Sequence, residues 1–163
     1  MLVLIEGNEG TGKTTLIKQL SKHFTFITVK YPKGKFDNLY QTLCQFAEAD
    51  DVFVLDRGFV SDLVYRIRDK CSCQISLYQI AELCDYYKIK IVFCHNENGY
   101  KDAMRRGEDN VTLEKDYDDI TLIFEKMQTM LELFTRAQTM SYNFRYDDVE
   151  EVVNFIKEVP NGV

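Results

Sequence analysis

Apolar residues along this chain fall alternately into short unbroken runs and into stripes spaced three and four apart, the two periods that separate buried parallel strands from amphipathic helices. Met1–Ile5 predicts a first buried strand. Leu16, Ile17, Leu20 and Phe24 predict a helix after it, and Phe24–Tyr31 a second strand that stops at Pro32. A helix over Phe36–Ala49 leads to a third apolar run, Val52–Leu55, ending at Asp56. Helices over Phe59–Arg68 and Ile75–Tyr87 precede a fourth strand, Ile89–Cys94. The cleanest stripe is Ile120, Ile123, Phe124, Met127, Met130, Leu131 and Phe134, the core face of a long helix. A fifth strand near Thr139–Phe144 follows, then a last helix burying Val149, Val152, Val153 and Ile156, with Asp147 or Asp148 as N-cap.

Regular alternation of strand and helix predicts an α/β fold, a three-layer α/β/α sandwich with a parallel five-stranded sheet and a cleft at the carboxyl ends of its strands. No linker, repeat or low-complexity tract divides residues 1–163, so one domain is expected. The net charge of −6 argues against binding nucleic acid through a broad basic face and suits a small anionic substrate. Five cysteines, an odd number, and an N-terminus with neither charged n-region nor cleavage site predict a reduced cytoplasmic protein with no membrane association. Cys71-Ser72-Cys73 has no second Cys/His pair to complete a metal site, and reads as surface thiols.

Chemistry concentrates in Gly7-Asn8-Glu9-Gly10-Thr11-Gly12-Lys13-Thr14, which matches the phosphate-loop pattern G-x-x-x-x-G-K-[ST] and lies between a strand and a helix, as that loop requires. Asn8 to Thr15 are therefore assigned to ATP: the backbone N–H groups of Asn8, Glu9, Gly10, Thr11 and Gly12 and the helix N-terminus at Thr15 cradle phosphates, Lys13 reaches the β- and γ-phosphates, and Thr14 offers a hydroxyl to Mg²⁺. Asp56 and Arg57 follow the third strand and emerge at the same edge. Asp56 is a second candidate for Mg²⁺, opposite Thr14, and the Arg57 fork suits a further phosphate.

With these segments in place, the chain resembles the thymidylate-kinase type of P-loop nucleoside and nucleotide kinase. Glu6–Thr15 is similar to that family's loop, in which an acid at the position of Glu9 lies near the acceptor sugar. Lys30-Tyr31-Pro32-Lys33 resembles its Arg-Phe-Pro segment, with Lys30 as the acceptor-phosphate contact. Asp56-Arg57-Gly58-Phe59-Val60-Ser61, with Tyr65 beyond, resembles the Asp-Arg-aromatic segment, although Gly58 replaces the aromatic and shifts it to Phe59. Arg105-Arg106-Gly107-Glu108-Asp109 resembles an arginine-bearing mobile lid, taken here as residues around 99–114.

The resemblance implies transfer of the γ-phosphoryl of ATP to a deoxynucleoside monophosphate. Lys13, Arg57, Arg105 and Arg106 would be catalytic, the lid arginines compensating for Thr11 where some relatives carry arginine. Glu9, Lys30, Arg57, Phe59 and Tyr65 would bind the acceptor, with Tyr40 a further stacking candidate. Relatives are commonly dimers, so a homodimer is expected on that ground alone. The chain is shorter than typical thymidylate kinases and has Arg66-Ile67-Arg68 where they carry glutamine, which leaves the base open. Two alternatives stand beside this reading. One is a P-loop kinase acting on a nucleoside or on a modified base in DNA, Lys33, Lys35, Arg66 and Arg68 then lining a basic groove. The other is a nucleotide-binding module with slow or no ATP hydrolysis.

Overall fold

The computed structural model of the protein describes residues 1–31, 38–87, 89–107 and 114–158. Five strands, β1 (Leu2–Glu6), β2 (Ile27–Lys30), β3 (Phe53–Asp56), β4 (Lys90–Cys94) and β5 (Gln138–Tyr142), form one sheet in the order β2-β3-β1-β4-β5. Every pairing is parallel. Seven helices are described: α1 (Lys13–Leu20), α2 (Leu39–Glu48), α3 (Phe59–Asp69), α4 (Leu77–Tyr87), α5 (Gly99–Arg105), α6 (Glu114–Phe134) and α7 (Val149–Lys157).

The unbroken apolar runs have a physical reason, since both faces of the sheet are covered. In β1, Leu2 and Leu4 enter one core with residues of α2, α3, α4 and α6, while Val3 and Ile5 enter a second with α1 and α7. The result is the expected three-layer sandwich. Alternation also fixes the next position, because Glu6 continues the Leu2–Leu4 face and so turns towards α3.

Element ends follow local chemistry. The Asn38 side chain accepts from the Gln41 N–H and starts α2, and Asp148, not Asp147, caps α7 by accepting from the Glu150 N–H. Ser76 and Gln79 form a reciprocal capping box, so α4 begins at Leu77 and Ile75 lies before it. Phe24 does not belong to β2: α1 ends at Leu20, and Phe24 packs against Phe26 with centroids 5.2 Å apart in the bend between them. The long helix is described from Glu114, and Gly99–Arg105 of the 99–114 segment forms a short helix. Of the expected features, Pro32, Lys33, Lys35 and residues 36–37 of the 36–49 helix lie outside the described residues, as do residues 108–113 of the 99–114 segment.

Phe59, expected at the acceptor base, is fully buried in the core beside Leu55 and Val60. Its ring is structural. Phe59→Ala should lower the free energy of unfolding by about 3–5 kcal/mol in urea denaturation; a change within about 0.5 kcal/mol would mean that the ring is not a core element.

Candidate phosphate-transfer cleft

Residues 7–13 wrap the carboxyl end of β1 into a loop that closes on its own lysine. Lys13 is buried, and its Nζ donates to the carbonyls of Gly7 at 2.9 Å and Asn8 at 2.5 Å, with the Thr11 hydroxyl at 3.4 Å. Burial, then the neighbouring Arg57 charge, pushes the Lys13 amine down to about 8, against the opposing pull of Glu9, Cys94 and Asp56. A dianionic or trianionic phosphate fits such a position, since it would replace carbonyl dipoles with full negative charge.

Side chains from three other segments brace the loop. The Asn8 side chain donates to the Tyr117 carbonyl and the Thr121 hydroxyl of α6, both at 3.0 Å. The Tyr117 hydroxyl donates to the Glu9 carbonyl at 2.7 Å. Asn96 donates to the Gly10 carbonyl at 2.8 Å and also to Asp102, which pairs with Arg145. Gly10 has φ of +73°, and a Cβ there would lie 2.0 Å from the Gly99 carbonyl, so α5 rests directly on the loop backbone. The sequence reading missed these braces. Their signal is weak, being isolated polar residues after β4 and within α6 whose partners are remote in sequence.

Thr14 and Thr15 are exposed in the first turn of α1, and Asp56 is half-buried at the end of β3 among the charges acting on Lys13. Among the described residues no trio of His, Cys, Asp or Glu converges on a metal position. A hydroxyl and one carboxylate, both hard oxygen donors, fit Mg²⁺, which retains waters and takes phosphate oxygens for the remainder.

Arg57 sits where the two halves of the cleft meet. Its backbone is left-handed, with φ of 72°, an uncommon conformation for a non-glycine residue that marks a constrained position. The guanidinium donates to Glu9 Oε1 at 2.5 Å, to the Gly7 carbonyl at 3.1 Å and to the Tyr65 hydroxyl at 3.2 Å. Burial alone would lower its pKa, but Tyr65, Glu9, Glu6 and Asp56 outweigh that and hold it above the ordinary value. Beside it opens a cavity of about 360 Å³ lined by Glu9, Tyr31, Tyr65, Asp62, Arg66 and Arg68, among others.

The other expected site residues distribute unevenly. Tyr65 lines the cavity, with the Arg57 and Arg68 guanidiniums 5.4 and 5.1 Å from its ring centroid. Lys30 is exposed at the end of β2, opposite Asp56 in register, and is not a wall of the cavity. Tyr40 lies elsewhere, donating to Glu82 of α4 at 2.7 Å. The Arg105 side chain is 80% exposed, 3.8 Å from Asp102, and Arg106 donates to the Asp102 carbonyl. Arg66 pairs with Asp62 at 2.7 Å and Arg68 with Asp69 at 2.6 Å, so the basic groove expected for a DNA acceptor is internally neutralised at these positions.

No protein-family model and no curated protein matches the sequence. Among solved structures, the YorR protein from Bacillus subtilis in complex with phosphorylated GDP is similar, with a TM-score of 0.75 and 23% identity over 96% of this chain and 93% of that one. Deoxyadenosine kinase from M. mycoides with bound dATP gives 0.64 at 14% identity, over 97% of this chain and 100% of that one. The same kinase with dCMP and dCDP gives 0.61 at 13% identity, over 98% and 100%. The chain has the P-loop nucleotide-kinase fold. Among the described residues no helix is long and apolar enough to cross a membrane.

An amine with a pKa near 8 is charged below that pH and neutral above it. Affinity for ATP should therefore fall as pH rises through about 8, with tighter binding at pH 7 than at pH 9 in titration calorimetry. Lys13→Met should bind weakly and lose that dependence; a wild-type affinity that does not change with pH would contradict the assignment.

Proposed function

We propose that the protein is an ATP-dependent phosphotransferase that moves the γ-phosphoryl group to a deoxynucleoside monophosphate. The observation that carries this reading is the contact of Arg57 with both the phosphate loop, through Gly7, and the wall of a nucleotide-sized cavity, through Tyr65 and Glu9. Arg57 then stands between the donor loop and the acceptor cavity.

The chemistry is chiefly positioning and charge stabilisation, with no covalent enzyme intermediate. Lys13 faces the β- and γ-phosphates. Arg57 exchanges its Glu9 partner for an acceptor phosphate, a bidentate fork meeting an anion. Mg²⁺, when bound, neutralises charge across the donor phosphates, and Thr14 and Asp56 would hold it. Arg105 or Arg106 would stabilise the transferring group from the 99–114 segment, and Lys30 would meet the acceptor at the rim of β2.

A nucleoside acceptor is the second reading. It is favoured by Glu9, whose carboxylate lines the cavity and is released as a base once Arg57 turns away, and by the likeness to a deoxyadenosine kinase. The five free cysteines accord with a reducing cytoplasm. A homodimer belongs to the same reading, and the exposed Tyr78, Tyr86, Leu133 and Phe134 offer apolar surface for one.

Incubation with γ-labelled ATP and Mg²⁺ against deoxynucleoside monophosphates, deoxynucleosides and oligonucleotides decides among these readings. Label on a monophosphate is expected; label on a nucleoside moves the assignment to the second reading, and label on DNA or on no acceptor overturns both. In the same assay Arg57→Ala should raise the acceptor KM at least tenfold, within the ~1.5–3 kcal/mol of a hydrogen bond to a charged group, and leave the KM for ATP within twofold. The reverse pattern would place Arg57 on the donor side.

A further inference from the structure

Beneath the cleft, Glu6 is fully buried at the end of β1, one residue before the phosphate loop. Its Oε1 accepts the Val60 N–H at 3.2 Å, and its Oε2 accepts the Ser61 hydroxyl at 2.5 Å. Ser61 Oγ in turn accepts from Arg57 Nη1 at 3.4 Å. The N-cap residue of α3, Gly58, has no side chain to satisfy the first turn, so a carboxylate from another element does so. A Cβ on Gly58 would lie 3.2 Å from Glu6 Oε1 and 3.0 Å from Leu4, which leaves room for glycine where the kinase family carries an aromatic.

A buried carboxylate is costly, and a neutral residue would serve the fold better. Burial raises the Glu6 carboxyl to about 7 even though Ser61, Arg57 and Lys13 all pull it down. The charged and titratable groups facing it are Lys13 from α1, Arg57 from the end of β3, Cys94 from β4 and Tyr31 from the end of β2. Nothing in the transfer chemistry itself uses this group.

We propose that Glu6 is a positioning residue for phosphoryl transfer, tying the strand that carries the phosphate loop to the first turn of α3 and, through Ser61, to Arg57. The inference rests on the reading of the cleft as a phosphotransferase site. As a carboxylate, Glu6 accepts from both Val60 and Ser61, which leaves the Ser61 lone pairs to Arg57 and holds its guanidinium between the loop and the cavity. As a carboxylic acid, it donates to Ser61 and competes with Arg57 for the same oxygen. Glutamine reproduces the second state at every pH.

The test compares wild type with Glu6→Gln, assayed from pH 6 to pH 9 with ATP, Mg²⁺ and each of dTMP, dAMP, dGMP and dCMP as acceptor probes. The wild-type to variant ratio of acceptor kcat/KM should be near one at pH 6 and rise to about tenfold at pH 8, with its midpoint near 7 and the KM for ATP unchanged. Titration of the acceptor phosphate is common to both proteins and cancels in the ratio. A ratio that stays flat with pH, at one or at any other value, overturns the proposal, because a merely structural role gives no midpoint. Wild-type protein inactive on every probe overturns the monophosphate-kinase reading and the proposal with it, whereas active wild type with a flat ratio overturns the proposal alone.

Two readouts without turnover accompany the assay. The infrared difference between the two proteins should show a protonated carboxyl band that disappears as pH rises through 7. A carboxyl raised from 4.5 when unfolded to about 7 when folded stabilises the fold fully below 4.5, and that contribution is lost as pH rises to 7. Wild type should thus lose stability relative to Glu6→Gln across that window; no relative loss, or no band, counts against the proposal.

Discussion

A positive charge buried at the carboxyl edge of a parallel sheet is the constraint around which this molecule is arranged. The Lys13 amine has little contact with water and leans on the carbonyls of its own loop, an arrangement that a polyphosphate would complete under the proposed function. To hold it, the chain needs glycines where the backbone turns back, a helix N-terminus directly after the lysine, and rigid strands to either side. Each is present: β3 and β4 flank β1, and α5 and α6 clamp the loop through Gly99, Asn8 and Tyr117. Loop position is therefore set by remote parts of the chain.

The second constraint is electrostatic. Arg57 lies among Glu9, Glu6 and Asp56, and Lys13 lies close by, so the cleft is a small lattice of alternating charges in partly dry surroundings. In such a place each charge is worth more than in water, and moving one partner redirects the others. Under the proposed function, phosphate arriving on the donor side would strengthen the hold on Lys13, and on the acceptor side it would compete with Glu9 for Arg57.

Much of this was legible in the amino-acid order. Unbroken apolar runs marked strands covered on both faces, as Val3 and Leu4 enter opposite cores, and the order of strand, loop and helix located Lys13 and Arg57 at one edge. What escaped were features set by tertiary geometry. Phe59 has the composition of a stacking ring, yet the residue after Gly58 points inward because α3 begins there. Tyr40 pairs with α4, and Asn8 with α6, through contacts that no local spacing encodes. In the amino-acid order Glu6 is only the first residue of the loop segment; in the fold it ends β1 instead, and its contacts depend on α3 passing over it.

The central claim is that Lys13 and Arg57 address two ends of one reacting system. A crystal structure with a bisubstrate analogue, adenosine joined to a deoxynucleoside through a polyphosphate bridge, tests it most directly. The account predicts bridge phosphates at Lys13 Nζ and at Arg57, the deoxynucleoside in the cavity beside Tyr65, and the Glu9–Arg57 pair parted. Phosphates seated away from Lys13, or a deoxynucleoside bound outside that cavity with the Glu9–Arg57 pair intact, would contradict it.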